Sequence, residues 1–392
     1  MFQFIQQQKD LAVLLNQMEY CSTYALDTEF IKVDTLYPKL GVCQINVNDQ
    51  VSLLDGAALD LSDFWRKLFE AQQNIFHACG EDIDLIYHYA DQKPLKNVFD
   101  TQVAMAFLGH GLQVSYQNAL KTCLNIDIDK DQTRSDWLAR PLSQEQMSYA
   151  ANDVLYLNKL AERLKFDLQT KGLYSYVLED CQNLTKEIAL ETPLSELYTD
   201  IGNYRHSRRE LMQLQQLSIW RELMQLQQLS IWREQITKAM NQPRSFILKN
   251  ATMIDLVEKN PRNTFQLAQV KDMRPNIVRE HGKTILDLLK FLPPEDEWPL
   301  RLARPVKNNS KEIAPRVDLL IEMVVNKTGI PKEVLLRKKW LNAIYEHVVF
   351  HLDEQDLPSY LLGWRYDLLT EPLIALFKED IEFLTTQMKI SR

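Results

Sequence analysis

The sequence predicts an α/β domain with a mixed central sheet, followed by two all-α helical bundles. Three observations lead there. Residues 22–110 alternate short apolar runs with helical patterns, strands nearly vanish from residue 112 onward, and the net charge changes sign along the chain. Alternation of the first kind marks strands covered by helices. At 392 residues and 45% hydrophobic, the chain is long enough for two or three domains with a large core.

In chain order, the strands are expected in TYALDTEF, VCQINVN, QVSLLD, NIFHACG and NVFD, with helices near 61–72, 81–90 and 101–108. Residues 143–170 read as one long amphipathic helix with Ser143 as its N-cap. Two stretches oppose regular structure and read as linkers: the polar run ETPLSELYTDIGNYRHSRRE and the proline-rich run spanning 291–316. The expected domains are therefore 1–204, 205–292 and 315–392, with a linker over 293–314. One oddity lies in the second: RELMQLQQLSIW at 209–220 recurs unchanged at 221–232. A shift of 12 residues turns an α-helix by about 120° beyond whole turns, so both copies cannot present one stripe to one core. A local duplication that lengthens a helix or loops out is the expectation.

Composition narrows the function. The N-terminal stretch MFQFIQQQKDLAVLLNQ breaks its apolar residues with glutamines, Lys9 and Asp10. It forms neither a signal peptide nor a membrane span, and a cytoplasmic protein with no membrane partner is expected. Five cysteines make no CxxC pair and no zinc spacing. The charge is −13 over residues 1–204, +7 over 205–290 and −2 over 291–392. A basic module beside an acidic one fits a nucleic-acid tether beside a metal-loaded catalytic domain.

The chemistry starts at YALDTEF. On an extended strand, Asp27 and Glu29 share a face, where two carboxylates repel unless a proton or cation lies between them. Further donors occur in NIFHACGEDID, where an apolar strand and a turn at Gly80 lead to Asp82 and Asp84 at a helix start. YAAND adds Tyr149 and Asp153 on one helical face. Hard oxygen donors suit magnesium or manganese, and four carboxylates around two such ions is the arrangement used for in-line phosphoryl displacement.

These pieces resemble the tyrosine-bearing branch of the DEDD exonucleases: DTEF, then His77-x4-Asp82, then Tyr149-x3-Asp153. DWLARPL at 136–142 is similar to the ribonuclease D family in particular, and the resemblance covers about residues 1–205. It continues in WREQITKAMNQPRSFILKNATMIDLV through NIVREHGKTIL, which resembles an HRDC domain, with a weaker second echo in GIPKEVLLRKKWLNAI through PSYLLGWRYDLL. The second copy of the 12-mer, ending at Trp232, would then be the first HRDC-like helix.

The resemblance implies a ribonuclease H-like exonuclease domain that trims RNA 3' ends and releases 5'-mononucleotides. Asp27, Glu29, Asp82 and Asp153 would be the ligands of two divalent ions, Mg2+ or Mn2+. Tyr149 would orient or help deprotonate the attacking water. Only the family spacing favours Asp82 over Asp84. Thr28, Phe30, His77 and Trp137 are the substrate-contact candidates, with Tyr37 and Phe76 as further aromatics for a pocket that stacks terminal nucleotides. His77 equally fits a packing role behind the ligands. The implied partner is RNA with a free 3' end, chiefly precursor transfer RNA, and the lack of any sustained heptad seam makes a monomer the default. Two other readings stay open from sequence: a DNA 3'-5' exonuclease, because nothing in the motif reads the 2'-hydroxyl, and a catalytically silent nucleic-acid scaffold.

Overall fold

A computed structural model of the chain describes residues 2–128, 135–201, 217–291 and 313–381. They fall into two compact units. The first contains the sheet and its helices through residue 190 together with the helices of 313–381, and the second contains 32–37 and the described residues of 191–291. Residues 191–201, expected as part of a linker, instead form a 3-10 helix at Leu194–Asp200, and Tyr198 and Ile201 are buried in the second unit's core. The proline-rich run lies almost wholly outside the described residues.

The sheet has six strands: β1 Phe2–Ile5, β2 Thr23–Ile31, β3 Lys39–Val47, β4 Gln50–Asp55, β5 Gln73–Phe76 and β6 Val98–Asp100, in spatial order β1-β4-β3-β2-β5-β6. β2 and β4 run antiparallel to β3, while the β1/β4, β2/β5 and β5/β6 pairs are parallel, so the sheet is mixed as expected. β3 is buried from Leu40 to Val47 on both faces, which is why its sequence reads as a nearly unbroken apolar run. β1 was not expected: FQFI is too short for its pattern to show. α1 Gln8–Met18, α2 Ser62–Glu70, α3 Gly80–Tyr89, α4 Thr101–Phe107 and α5 Tyr116–Leu124 follow the strands.

The helix expected over 143–170 is two helices, α6 Gln144–Leu155 and α7 Leu157–Thr170. Its start is as read: Ser143 caps α6, and Gln146 completes a capping box. The break at Tyr156 has a tertiary cause. The buried Asn46 side chain on β3 donates to the carbonyls of Val154 (3.0 Å) and Leu155 (3.2 Å), competing with the ladder that would carry the helix onward.

α8 Tyr174–Ile188 is joined to the helices of 313–381 by a buried clasp. Arg365 is 1% exposed and grips Asp180 with two nitrogens, at 2.5 and 2.7 Å, while Trp364 Nε1 donates to the same carboxylate at 3.0 Å. Arg365 also donates to the Val334 and Leu335 carbonyls, which satisfies the guanidinium fully enough to be buried.

In the second unit, α9 Leu217–Met240 is one continuous helix that contains the whole second copy of the 12-mer. Leu223, Leu226, Leu229 and Trp232 lie in its hydrophobic core with Met253, Leu256, Ile277 and Ile285. α9 is thus the first helix of this bundle, as expected of the second copy; residues 209–216 of the first copy lie outside the described residues. α10 Arg244–Ile247, α11 Asn250–Lys259, α12 Thr264–Ala268 and α13 Pro275–Lys290 complete the bundle.

Candidate active site

β2 outruns its parallel partner. Its pairing with β5 ends at Ala25, and Asp27 to Glu29 lie beyond the end of β5, where the chain turns into α3. This strand-end crevice is where α/β sheets place ligands. On the other side, β2 pairs with β3 through Asp27↔Gln44 and Glu29↔Val42, then jumps to Phe30↔Leu40, so Gly41 is the extra residue of a β-bulge beside Glu29. A side chain is excluded at Gly41, since a Cβ there would meet the Trp137 carbonyl oxygen at 2.6 Å.

That close approach explains DWLARPL. Trp137 is 3% exposed, packs with Val42, Val51 and Leu53, and lies 6.2 Å from the Tyr149 ring. Arg140 donates from Nε and Nη2 to Asp55 at 2.9 and 2.6 Å, and to the Trp137 and Gly41 carbonyls. The segment is a clip that fastens the start of α6 to β3 and β4. Trp137 is therefore a core residue that backs Tyr149.

α6 then brings Tyr149 and Asp153 to β2. Carboxylate oxygens of Asp27, Glu29 and Asp153 lie within 4.8 Å of one another, and none of the three residues is fully exposed. Asp82, in the first turn of α3, is 7% exposed and accepts a hydrogen bond from the Thr28 hydroxyl. It stands outside the close trio, yet its charge raises the pKa of Asp27, Glu29 and Asp153 alike. Thr28, offered as a substrate contact, spends its hydroxyl on Asp82. Phe76 is fully buried and Phe30 half-buried, while Tyr37 packs with the second unit.

His77 is held at both ring nitrogens. Nε2 donates to the Val114 carbonyl, which can only accept, at 2.9 Å, and Nδ1 faces the Thr101 hydroxyl at 2.8 Å. Burial lowers its pKa, so it is a neutral packing residue against Tyr116. The turn after it depends on Asp100, which reasoning from the sequence passed over. This buried carboxylate accepts from the backbone N–H groups of Ala78 and Cys79 as well as from Gln102 and Val103 at the start of α4, and so sets the origin of α3. An Asp directly before a helical run was the available signal. Asn46 and Gln44 were also missed, although two polar residues at period two within an apolar strand mark a buried polar face. Gln44 lies opposite Asp27, with Nε2 3.5 Å from its carboxylate.

Electrostatically the cluster is unfinished by protein alone. Burial, then the neighbouring acids, raises Asp27 well above the carboxylate range, Glu29 to about 8 and Asp153 to about 7. Asp82 reaches about 6, raised by burial and held back by Thr28. Such a set ionises fully at neutral pH only around positive charge, and its donors are all hard oxygens, which fits divalent magnesium or manganese. Burial likewise raises the Tyr149 phenol, helped by Asp153 and Glu29, so it stays protonated at neutral pH.

Fold and site define a 3'-5' exonuclease, and residues 2–169 match the family described as 3'-5' exonuclease; residues 222–289 match the HRDC domain. Ribonuclease D of Pseudomonas paraeruginosa is 31% identical over 377 residues, covering 95% of this chain and 96% of the relative; that of Shewanella sp. is 32% identical over 385 residues, covering 96% and 94%. The crystal structure of Escherichia coli RNase D, described as an exoribonuclease involved in structured RNA processing, superimposes with a TM-score of 0.85 at 25% identity, covering 97% of this chain and 99% of that one. The chain belongs to the ribonuclease D family and is a 3'-5' exoribonuclease. Exonucleases of this superfamily depend on divalent metal ions, in keeping with the donor set.

Proposed function

We propose that Asp27, Glu29 and Asp153 hold one divalent ion and that Asp27 and Asp82 hold a second, Mg2+ or Mn2+ in each place, for hydrolysis of the terminal phosphodiester of RNA with release of 5'-mononucleotides. The observation that carries this reading is the convergence of three half-buried carboxylates beside β2 with a fourth close enough to shift their pKa values. Ions held by these residues would supply an acidic water at neutral pH and positive charge for the leaving group. The chain's own part is positional. Asp27 and Glu29 are set by the Gly41 bulge, Asp153 by the Asn46 brace on α6, and Asp82 by Thr28 and by the Asp100-held turn. The protonated Tyr149 donates a hydrogen bond that aims the attacking water, rather than accepting its proton.

The substrate in this reading is structured RNA with an unpaired 3' end, chiefly precursor transfer RNA, in the cytoplasm, acted on by a monomer. The HRDC unit and the +7 segment that contains it would add salt-sensitive affinity for the phosphate backbone. Residues 313–381 would be a second HRDC-like module held to the exonuclease by the Asp180–Arg365 clasp. The test is a time course on 5'-labelled RNA with a few unpaired 3' nucleotides, run with magnesium, with chelator and with Asp27→Ala. One-nucleotide shortening from the 3' end, lost in both controls, is expected. Shortening that survives in Asp27→Ala would remove the ligand assignment.

A further inference from the structure

β6 is the last strand of the sheet, and α8 packs against β6, α3 and α4 alike. That packing is polar at one point. The backbone N–H of Asp100, at the end of β6, donates to the sulfur of Cys181 on α8 at 3.3 Å, and both residues are buried. An edge-strand N–H shut away from water needs such an acceptor.

Asp100 is in turn committed to the turn that starts α3. Its carboxylate accepts from the N–H groups of Ala78 at 3.0 Å and Cys79 at 2.9 Å. Ala78 has φ +63°, a left-handed conformation that is strained for a residue with a Cβ, so the turn relies on those bonds to persist. α3 begins at Gly80, and Asp82 stands in its first turn. A shift of Asp100 therefore reaches Asp82 through a few residues of backbone.

On its other side, α8 is tied to the helices of 313–381. Asp180, next to Cys181, is the carboxylate of the clasp, gripped by Arg365 and Trp364, and Glu179 accepts the Trp364 backbone N–H at 3.1 Å. Gly363 has φ +60° and no room for a side chain, since a Cβ would meet Glu179 Oε1 at 1.8 Å. Consecutive residues of one helix thus face the clasp at 179 and 180 and the sheet edge at 181. Asp180 cannot move without breaking a buried ion pair, and this fixes the level of Cys181 against β6.

We propose that Arg365, Asp180 and Cys181 are positioning residues for Asp82: the clasp holds α8 against β6, and α8 holds the Asp100 turn from which Asp82 projects. The inference rests on the reading of Asp82 as a metal ligand and extends it, because it makes the helices of 313–381 part of the catalytic framework. The test uses the full chain and reads the turn apart from the chemistry. Cys181→Ala removes the acceptor with the clasp closed, and Arg365→Met opens the clasp from its far side. In chelator, amide exchange at Ala78 and Cys79 is expected to quicken about fivefold to tenfold in Cys181→Ala, the worth of one hydrogen bond, while the amides of α6 keep their rates. With Mg2+, kcat should fall by about the same factor at unchanged KM, and Cys181→Ser, whose hydroxyl oxygen can accept the same N–H, should recover much of both. Arg365→Met should act in the same direction; if it unfolds, Trp364→Phe, which deletes the Nε1 donor and keeps a ring, takes its place with a smaller effect. Exchange that quickens equally in α6 and in the turn, or a Cys181→Ser variant as impaired as Cys181→Ala, would leave Cys181 a merely structural role and overturn the proposal. Asp82→Asn separates the two readings. If it turns over normally, the ligand assignment fails and the positioning role with it; if it abolishes turnover while a quickened turn leaves kcat unchanged, the coupling alone is overturned.

Discussion

Two acid sites on one sheet meet opposite fates. Asp55, at the end of β4, is 1% exposed, accepts two hydrogen bonds from Arg140 and one from Gln6, and is held below the usual carboxylate range despite its burial. Asp27, on β2, is half-buried among three other acids and is raised well above that range. Both sites border the Gly41 bulge: Arg140 donates to the Gly41 carbonyl, and the bulge opens beside Glu29. The difference teaches that burial of a carboxylate does not by itself mark function. A guanidinium makes Asp55 a structural fastener, while Asp27 has only other acids for charged neighbours among the described residues, the setting in which an ion is proposed.

The comparison breaks most sharply at the site itself. Asp27→Ala or Asp153→Ala should lower kcat by three or more orders of magnitude, about 4 kcal/mol, with RNA binding largely kept, as measured by single-turnover kinetics and filter binding. Next comes the fastener. Arg140→Ala leaves Asp55 buried without its partner and should cost about 3 kcal/mol in denaturant unfolding, whereas Arg140→Met with Asp55→Asn should recover much of that loss; equal costs would deny the ion pair its role.

The pH dependence separates the two sites by sign. Asp82, Asp153 and Glu29 have raised folded pKa values, so in chelator their contribution is complete below about pH 4 and is lost as pH rises through about 6 to 8. The melting temperature in chelator should therefore fall over that window, and saturating Mg2+ should flatten the fall. Asp55 has a depressed value, so its contribution is present above the unfolded carboxylate pKa and is lost only as pH falls through its lower folded value. A chelator melt that is flat between pH 6 and 8 would contradict the unfinished cluster.

A smaller effect is expected at Asn46. Asn46→Ala removes two hydrogen bonds to the end of α6 and should cost about 1–3 kcal/mol of stability, with a fall in kcat at nearly unchanged KM, since Asp153 is displaced but no substrate contact is lost. The smallest effect belongs to the duplication. Deleting 209–220 should leave activity and melting temperature nearly unchanged, because the second copy already supplies the buried face of α9 through Leu223, Leu226, Leu229 and Trp232.

What the sequence determined by itself is what local chemistry and period can encode. Strand alternation, the Ser143 capping box, the acids of YALDTEF and YAAND, and the sheet-then-helix order depend on neighbours within a few residues, and each stands where it was read. Tertiary structure decided whatever depends on partners far along the chain. Asp82 accepts from Thr28, 54 residues earlier, and the 143–170 helix broke because Asn46 reached Val154 from 108 residues away. Trp137, read as a candidate contact, became core beside the Gly41 bulge, and His77, which the sequence left between contact and packing, is held by the Val114 carbonyl brought to it. The same holds for Arg221 and Arg233, identical in local sequence yet exposed and buried respectively, since a 12-residue shift along one helix turns the same words to a different neighbour.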